Sequence, residues 1–196
     1  MSGRRAVFFD RDGTLNRDVG YVTHVDDFEL LPRAAAAVRR VNEAGMLAIL
    51  ATNQAGVARG YFPEWMIERT HEKLQRELAA KGARLDAIYY CPYFPESKDP
   101  AYAVDSQLRK PYPGMLLKAA EEHGVDLARS YMVGDKYSDL ECGWAAGCRA
   151  VFILTGYGRG DMNLWGDDWP RPPDILAEDA HHAVDKILDE TAGAGG

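Results

Sequence analysis

The chain has 196 residues, 46% hydrophobic and 27% charged, so a single folding domain with ample material for a core is expected over residues 1–196. Acidic residues outnumber basic ones by 30 to 23, and the net charge of −7 excludes generic binding to nucleic acid or an anionic membrane, both of which demand a basic surface. Three cysteines (Cys91, Cys142, Cys148) make no disulfide framework, and no apolar run approaches the roughly 18 residues of a membrane helix, so a reducing, cytoplasmic setting is expected.

In chain order, the apolar run Ala6–Phe9 predicts a strand, and Arg33–Ala44 a helix. Leu47–Ala51 predicts a second strand and Pro63–Ala80 a helix whose Leu74 and Leu78 share a face. Ile88–Tyr90 predicts a third strand. Pro92–Leu108 has no periodicity and contains Pro95 and Pro100, which predicts a long loop or small insertion. Helices are predicted over Pro113–His123 and Ser138–Ala146, with strands at Tyr131–Val133 and Ala150–Leu154. Pro63 and Pro113 suit first helical turns, while Gly45, Gly82 and Gly124 fall where helices stop. Gly156–Pro173, rich in Gly, Trp, Asp and Pro, predicts an extended surface segment, and Glu178–Leu188 a last helix. Strands alternating with helices imply a parallel α/β sheet covered by helices on both faces.

In such a sheet, ligands bind beyond the carboxyl ends of the strands. The first strand is followed by Asp10-Arg11-Asp12-Gly13-Thr14 and the second by Thr52-Asn53-Gln54. The third leads through the long loop to Arg109-Lys110-Pro111, and the fourth gives Gly134-Asp135-Lys136 with Asp139 a turn later. The fifth, ending at Thr155-Gly156, adds nothing evident. Asp10 and Asp12, two apart on an extended segment, repel each other unless a cation intervenes. With Asp135 they make a hard, all-oxygen site suited to Mg²⁺. Lys110 and Thr52 are suited to a phosphate dianion: one carboxylate can attack phosphorus, and the other can protonate the leaving oxygen and later activate water.

These residues resemble the haloacid dehalogenase (HAD) superfamily of phosphotransferases, all four of whose motifs are present: FFDRDGT, ATNQAG, RKPYPG and VGDKYSD. Within it, GYVTHVDDFELLP, TNQAGVARGYF, IYYCP and YMVGDKYSDLECG resemble the subfamily of heptose-1,7-bisphosphate 7-phosphatases and histidinol phosphatases. The resemblance implies a Rossmann-like HAD fold, capless, with short loops enclosing substrate, and a monomer acting on a small sugar phosphate. It implies Asp10 as nucleophile and Asp12 as general acid and base, with Mg²⁺ held by Asp10, the Asp12 carbonyl and Asp135. It further implies Thr52, Asn53 and Lys110 on the transferring phosphate, and Arg109 and Lys136 on the rest of the substrate. Asp139 is expected to orient a lysine or tune the metal from behind.

The subfamily carries a structural zinc before its RKP motif, in a CxH…CxC pattern, of which only Cys91 remains here. Tyr93, Ser106 and Leu108 fill the other positions, so no structural zinc is expected, with packing of Tyr93, Phe94 and Tyr102 in its place. The histidines show no ligand spacing and are expected to need no role, and Trp144, Trp165 and Trp169 are expected to pack. The nearest alternative is a histidinol-phosphate phosphatase or another small phosphomonoesterase. From a different class comes a receiver-type phosphoacceptor domain, which lacks a second carboxylate two residues after the first.

Overall fold

The computed structural model describes residues 3–193. Strands β1 (Ala6–Phe9), β2 (Leu47–Asn53), β3 (Ala87–Cys91), β4 (Tyr131–Gly134), β5 (Arg149–Ile153) and β6 (Ile175–Ala177) form one all-parallel sheet in the order β3-β2-β1-β4-β5-β6. The connecting helices are α1 (Ala34–Glu43), α2 (Trp65–Ala79), α3 (Gly114–His123), α4 (Tyr137–Ala146), α5 (Gly158–Trp165) and α6 (Ala180–Gly193).

Alternation along β1 sorts its four buried side chains onto two faces. Val7 and Phe9 join Ala48 and Leu50 under Val38 and Val41 of α1, Leu74 and Leu78 of α2, and Val184 and Ile187 of α6. Ala6 and Phe8 join Leu47 and Ile49 under Met115 and Leu116 of α3 and Cys142 of α4. Each fully buried Val, Leu, Ile or Phe among these contributes about 1.5–3 kcal/mol, so packing on both faces anchors β1 firmly. Chain order reverses at β1: β2 and β3 extend the sheet on one side, β4 to β6 on the other. The crevice for a ligand therefore opens where β1 and β4 end.

Strands β1 to β5 and five of the helices lie within a few residues of their predicted positions. The segment 156–173 is different. It folds into α5 and a 3-10 turn at Gly166–Asp168, and β6 follows it unforeseen. Glycine at positions 158 and 160 weakens helix propensity, and only Met162 of α5 reaches an apolar cluster, so there is no stripe for periodicity to detect. Trp169 anchors the stretch by stacking on Tyr137 at 4.8 Å and meeting Phe152 edge-on at 4.9 Å. Trp165, expected to pack, is exposed. β6 is too short for its alternation to register.

Residues 92–108 carry no helix or strand but are tied down. Glu64 accepts from both Tyr90 Oη (3.0 Å) and Tyr102 Oη (2.8 Å), and Ser97 Oγ donates to the Ala58 carbonyl. Among the described residues, no helix is long and apolar enough to cross a membrane.

Candidate active site

Asp10 leaves β1 while still paired to the sheet, its N–H donating to the Val133 carbonyl at 2.9 Å. Its Oδ1 lies 2.7 Å from Lys110 Nζ, which also meets Asp139 Oδ1 at 2.6 Å. Lys110 is 4% exposed, so its charge must be matched by these two carboxylates. Burial opposes that charge, but Asp10 and Asp139 outweigh it and raise the lysine pKa above its ordinary value. Asn53 holds the lysine from below: its amide donates to the Lys110 carbonyl and accepts from the Lys110 N–H, both at 3.0 Å. Asn53, expected on phosphate, thus spends its side chain fixing Lys110. Asp139 turns its second oxygen to the N–H of Lys136, so it orients the lysine and caps α4, as expected.

Asp135 is fully buried. Its Oδ2 accepts from the Tyr157 N–H at 2.8 Å, and its Oδ1 has no donor among the described residues. Burial first, then the charges of Asp10 and Asp139, push its pKa up to about 8. Burial likewise raises Asp139, against the pull of Lys110. One oxygen from each of Asp10, Asp135 and Asp139 falls within 4.8 Å of the others. An orphaned oxygen and crowded carboxylates describe a place short of positive charge, and hard oxygen donors fit Mg²⁺. Two glycines make the space. Gly13 (φ +83°) and Gly156 (φ +55°) lie so close to the Asp135 carboxylate that a Cβ on either would collide with it.

Asp12 is gripped on both oxygens. Arg11 forks onto it at 2.9–3.2 Å, Asn16 Nδ2 donates to Oδ1 at 3.0 Å, and Gln54 Nε2 donates to Oδ2 at 2.9 Å. Burial works against the charge, but Arg11, Asn16 and Gln54 together hold the carboxyl below the usual range. Thr52, buried at the end of β2, accepts from Gln54 at 3.0 Å, which leaves its own proton to donate. Above these groups opens a cavity of about 580 Å³, lined by Asp10, Asp12, Asn53, Arg109, Lys110 and Lys136. Thr52 and Asp135 are buried and absent from its surface.

A family model described as HAD-hydrolase-like matches residues 107–183. The heptose-1,7-bisphosphate 7-phosphatase of Thermosynechococcus vestitus is 45% identical over 96% of this chain and 98% of its own. That of Escherichia coli is 41% identical over 77% of this chain and 80% of its own. The chain belongs to the HAD-like phosphatase family. A crystal structure of the D,D-heptose 1,7-bisphosphate phosphatase from B. bronchiseptica, complexed with magnesium and phosphate, overlays this HAD-like chain with a TM-score of 0.84. It is 34% identical and covers 95% of this chain and 99% of that one.

Within this HAD-like site, several contributors have no signature in the sequence. The end of the fifth strand does contribute, contrary to expectation: Thr155 Oγ1 donates to the Gly13 carbonyl at 2.6 Å, and Tyr157 supplies the N–H on Asp135. Tyr157 and Asp161 also line the cavity, from a segment expected to be mere surface. Asp18 pairs with Lys136 Nζ at 3.2 Å and aims it, and burial's penalty on that lysine is outweighed by Asp10, Asp135 and Asp18. Arg109 shares the Phe94 ring with Arg59, their guanidinium carbons 5.0 and 4.1 Å from its centroid. His71, expected to need no role, is buried with Nε2 3.5 Å from Arg11. Cys91 is buried with Tyr93 and Leu108 packed beside it, and burial pushes its thiol pKa up.

Proposed function

We propose that this chain is a phosphatase that uses Mg²⁺ to remove the 7-phosphate of D-glycero-D-manno-heptose 1,7-bisphosphate through an aspartyl-phosphate on Asp10. The observation that carries the reading is the buried cluster at the β1–β4 crevice: Asp10, Asp135 and Asp139 converge, an Asp135 oxygen has no partner among the described residues, and Lys110 sits against Asp10. The likeness to named heptose-bisphosphate phosphatases over most of the chain supports the substrate.

Asp10, Asp135 and the main-chain carbonyl of Asp12 would hold Mg²⁺, which when bound offsets the negative charge that carboxylates and phosphate bring together. Lys110 occupies Asp10 Oδ1 and orients the carboxylate, leaving the other oxygen to attack phosphorus. The ester P–O bond breaks, its electron pair goes to the sugar oxygen, and Asp12 supplies the proton that makes it an alcohol. Asp12 is ionised in the resting site, but an arriving phosphate dianion raises its pKa by like-charge repulsion and so produces the acid. In the second half Asp12 takes a proton from water, whose oxygen attacks the phospho-aspartate and releases inorganic phosphate. That proton passes to solvent as phosphate leaves and Asp12 ionises again, and the next substrate's arrival draws a fresh one. Thr52 and Lys110 hold oxygens of the transferring phosphate. Arg109 takes the second phosphate, its planar fork suited to a dianion, and Lys136 reaches the sugar.

The test is phosphate release with Mg²⁺ from each anomer of the heptose bisphosphate and from histidinol phosphate, using wild type and Asp10→Asn. Turnover of the bisphosphate, lost in the variant, is expected. A preference for histidinol phosphate overturns the substrate but keeps the chemistry. A stable phosphoprotein with no turnover overturns both.

A further inference from the structure

Arg11 is the largest fully buried side chain among the described residues, 1% exposed, although arginine is almost never fully buried without a partner. Its guanidinium is used on two sides. Nε and one terminal nitrogen grip Asp12 at 2.9–3.2 Å, and the other terminal nitrogen faces His71 Nε2 at 3.5 Å. His71 is itself 6% exposed, inside the wall formed by α2, with its ring edge-on to Tyr90 at 5.7 Å. Burial and the adjacent guanidinium depress its pKa to about 3, so the imidazole is neutral and its Nε2 lone pair accepts from Arg11. The histidine can therefore fix the arginine without adding a second charge. Asn16 and Gln54 each hold one oxygen of Asp12, whereas Arg11 touches both and so sets the plane of the carboxylate.

We propose that His71 is a positioning residue for the acid–base step: by holding the Arg11 guanidinium from behind, it directs the Asp12 carboxylate at the leaving oxygen and at the attacking water. The inference rests on the phosphatase reading above. A long, flexible arginine anchored only by its partner carboxylate would let that carboxylate swing. Misplacement of a catalytic group by about 1 Å costs on the order of a hundredfold.

The test exploits the leaving group. A sugar alkoxide cannot depart without a proton from Asp12, whereas p-nitrophenolate is a stable anion and departs unaided. Phosphate release is measured as kcat/KM on the heptose bisphosphate and on p-nitrophenyl phosphate for wild type, His71→Leu and His71→Gln. In His71→Leu the bisphosphate value should fall roughly 10- to 100-fold through kcat, with p-nitrophenyl phosphate held within about threefold. His71→Gln, which returns an acceptor to Arg11, should recover most of the loss. Equal losses on the two substrates, no loss on either, or failure of glutamine to rescue would overturn the proposal. Where leucine does not fold, His71→Asn, whose amide stops short of the guanidinium, is expected to show the same selective loss, and a uniform loss there overturns it equally. Absence of turnover in wild type on both substrates is a separate result: it sinks the phosphatase reading itself.

Discussion

Replacing Lys110 by methionine removes the buried cation that meets both Asp10 and Asp139. At an effective dielectric of about 20, unit charges separated by the observed 2.7 and 2.6 Å attract by about 6 kcal/mol each. Desolvating the ammonium offsets several kcal/mol of this, and removing one partner of a buried ionic group typically costs about 3–5 kcal/mol, because the carboxylates are left uncompensated. For a chain of this length each kcal/mol lowers Tm by roughly 2–4 °C, so a drop of roughly 6–20 °C is expected at pH 8 without added metal. The loss should depend on pH. Lys110 has its pKa raised above the unfolded value, so its contribution is complete at every pH below the ordinary lysine range and lost only in strong alkali. Asp139 is already raised, and without Lys110, which pulls it down, it rises further. The folded variant then binds more protons than its unfolded chain between the ordinary carboxylate range and neutrality. Its stability consequently falls as pH rises across that interval. The assay is thermal unfolding of both proteins at pH 5.5 and pH 8, with the larger deficit expected at pH 8. A variant within 2 °C of wild type at pH 8, or a deficit that shrinks with rising pH, would refute the ion-pair account, where the figure of about 2 °C corresponds to less than 1 kcal/mol.

Gly156→Ala puts a methyl group against the Asp135 carboxylate at a positive φ; the half-saturating Mg²⁺ for phosphate release should rise roughly 10- to 100-fold. An unchanged magnesium titration would contradict the proposed role of Asp135. Phe8→Ala, at a fully buried position on the α3–α4 face, should cost about 3–5 kcal/mol in urea unfolding without altering KM in the folded fraction. Asp174 accepts from Ala150 N and Trp144 Nε1, each at 2.8 Å, and with Arg171 these bonds hold its pKa down against burial. A depressed carboxylate stabilises above its unfolded pKa and loses that contribution as pH falls through the folded value. Asp174→Ala should therefore lower stability by about 1–3 kcal/mol at pH 7, with the gap to wild type narrowing near pH 3. Equal gaps at the two pH values would count against it.

The sheet and the main site were legible for one physical reason. A parallel strand buried on both faces must be apolar throughout, so Ala6–Phe9 and Tyr131–Gly134 stand out, and whatever polar residues follow them lie at the crevice. Asp10, Asp12, Lys110 and Asp135 could be named from that rule together with the charge balance a phosphate site needs. Asn53 shows the limit of the same rule. An amide beside a phosphate site can bind the ligand or tie the backbone, and only the folded chain shows its side chain making two bonds to Lys110. The segment 156–173 shows a different limit, because α5 is held by Met162 and Trp169 packing rather than by a helical apolar stripe.

By itself, then, the sequence determined the parallel α/β architecture, the chain order of the four motifs and the acidic, phosphate-directed chemistry at one edge. These rest on local residue types and on periodicity, which travel with the chain. The tertiary structure alone decided three other things: that the Tyr157 N–H caps Asp135, that Gly156 and Gly13 make room for its carboxylate, and that His71 stands behind Arg11. A main-chain donor has no side-chain signature, and the clearance around a glycine exists only once strand ends meet. His71 and Arg11 are 60 positions apart. Nothing local in either residue records the contact; it comes into being when α2 packs beside the end of β1.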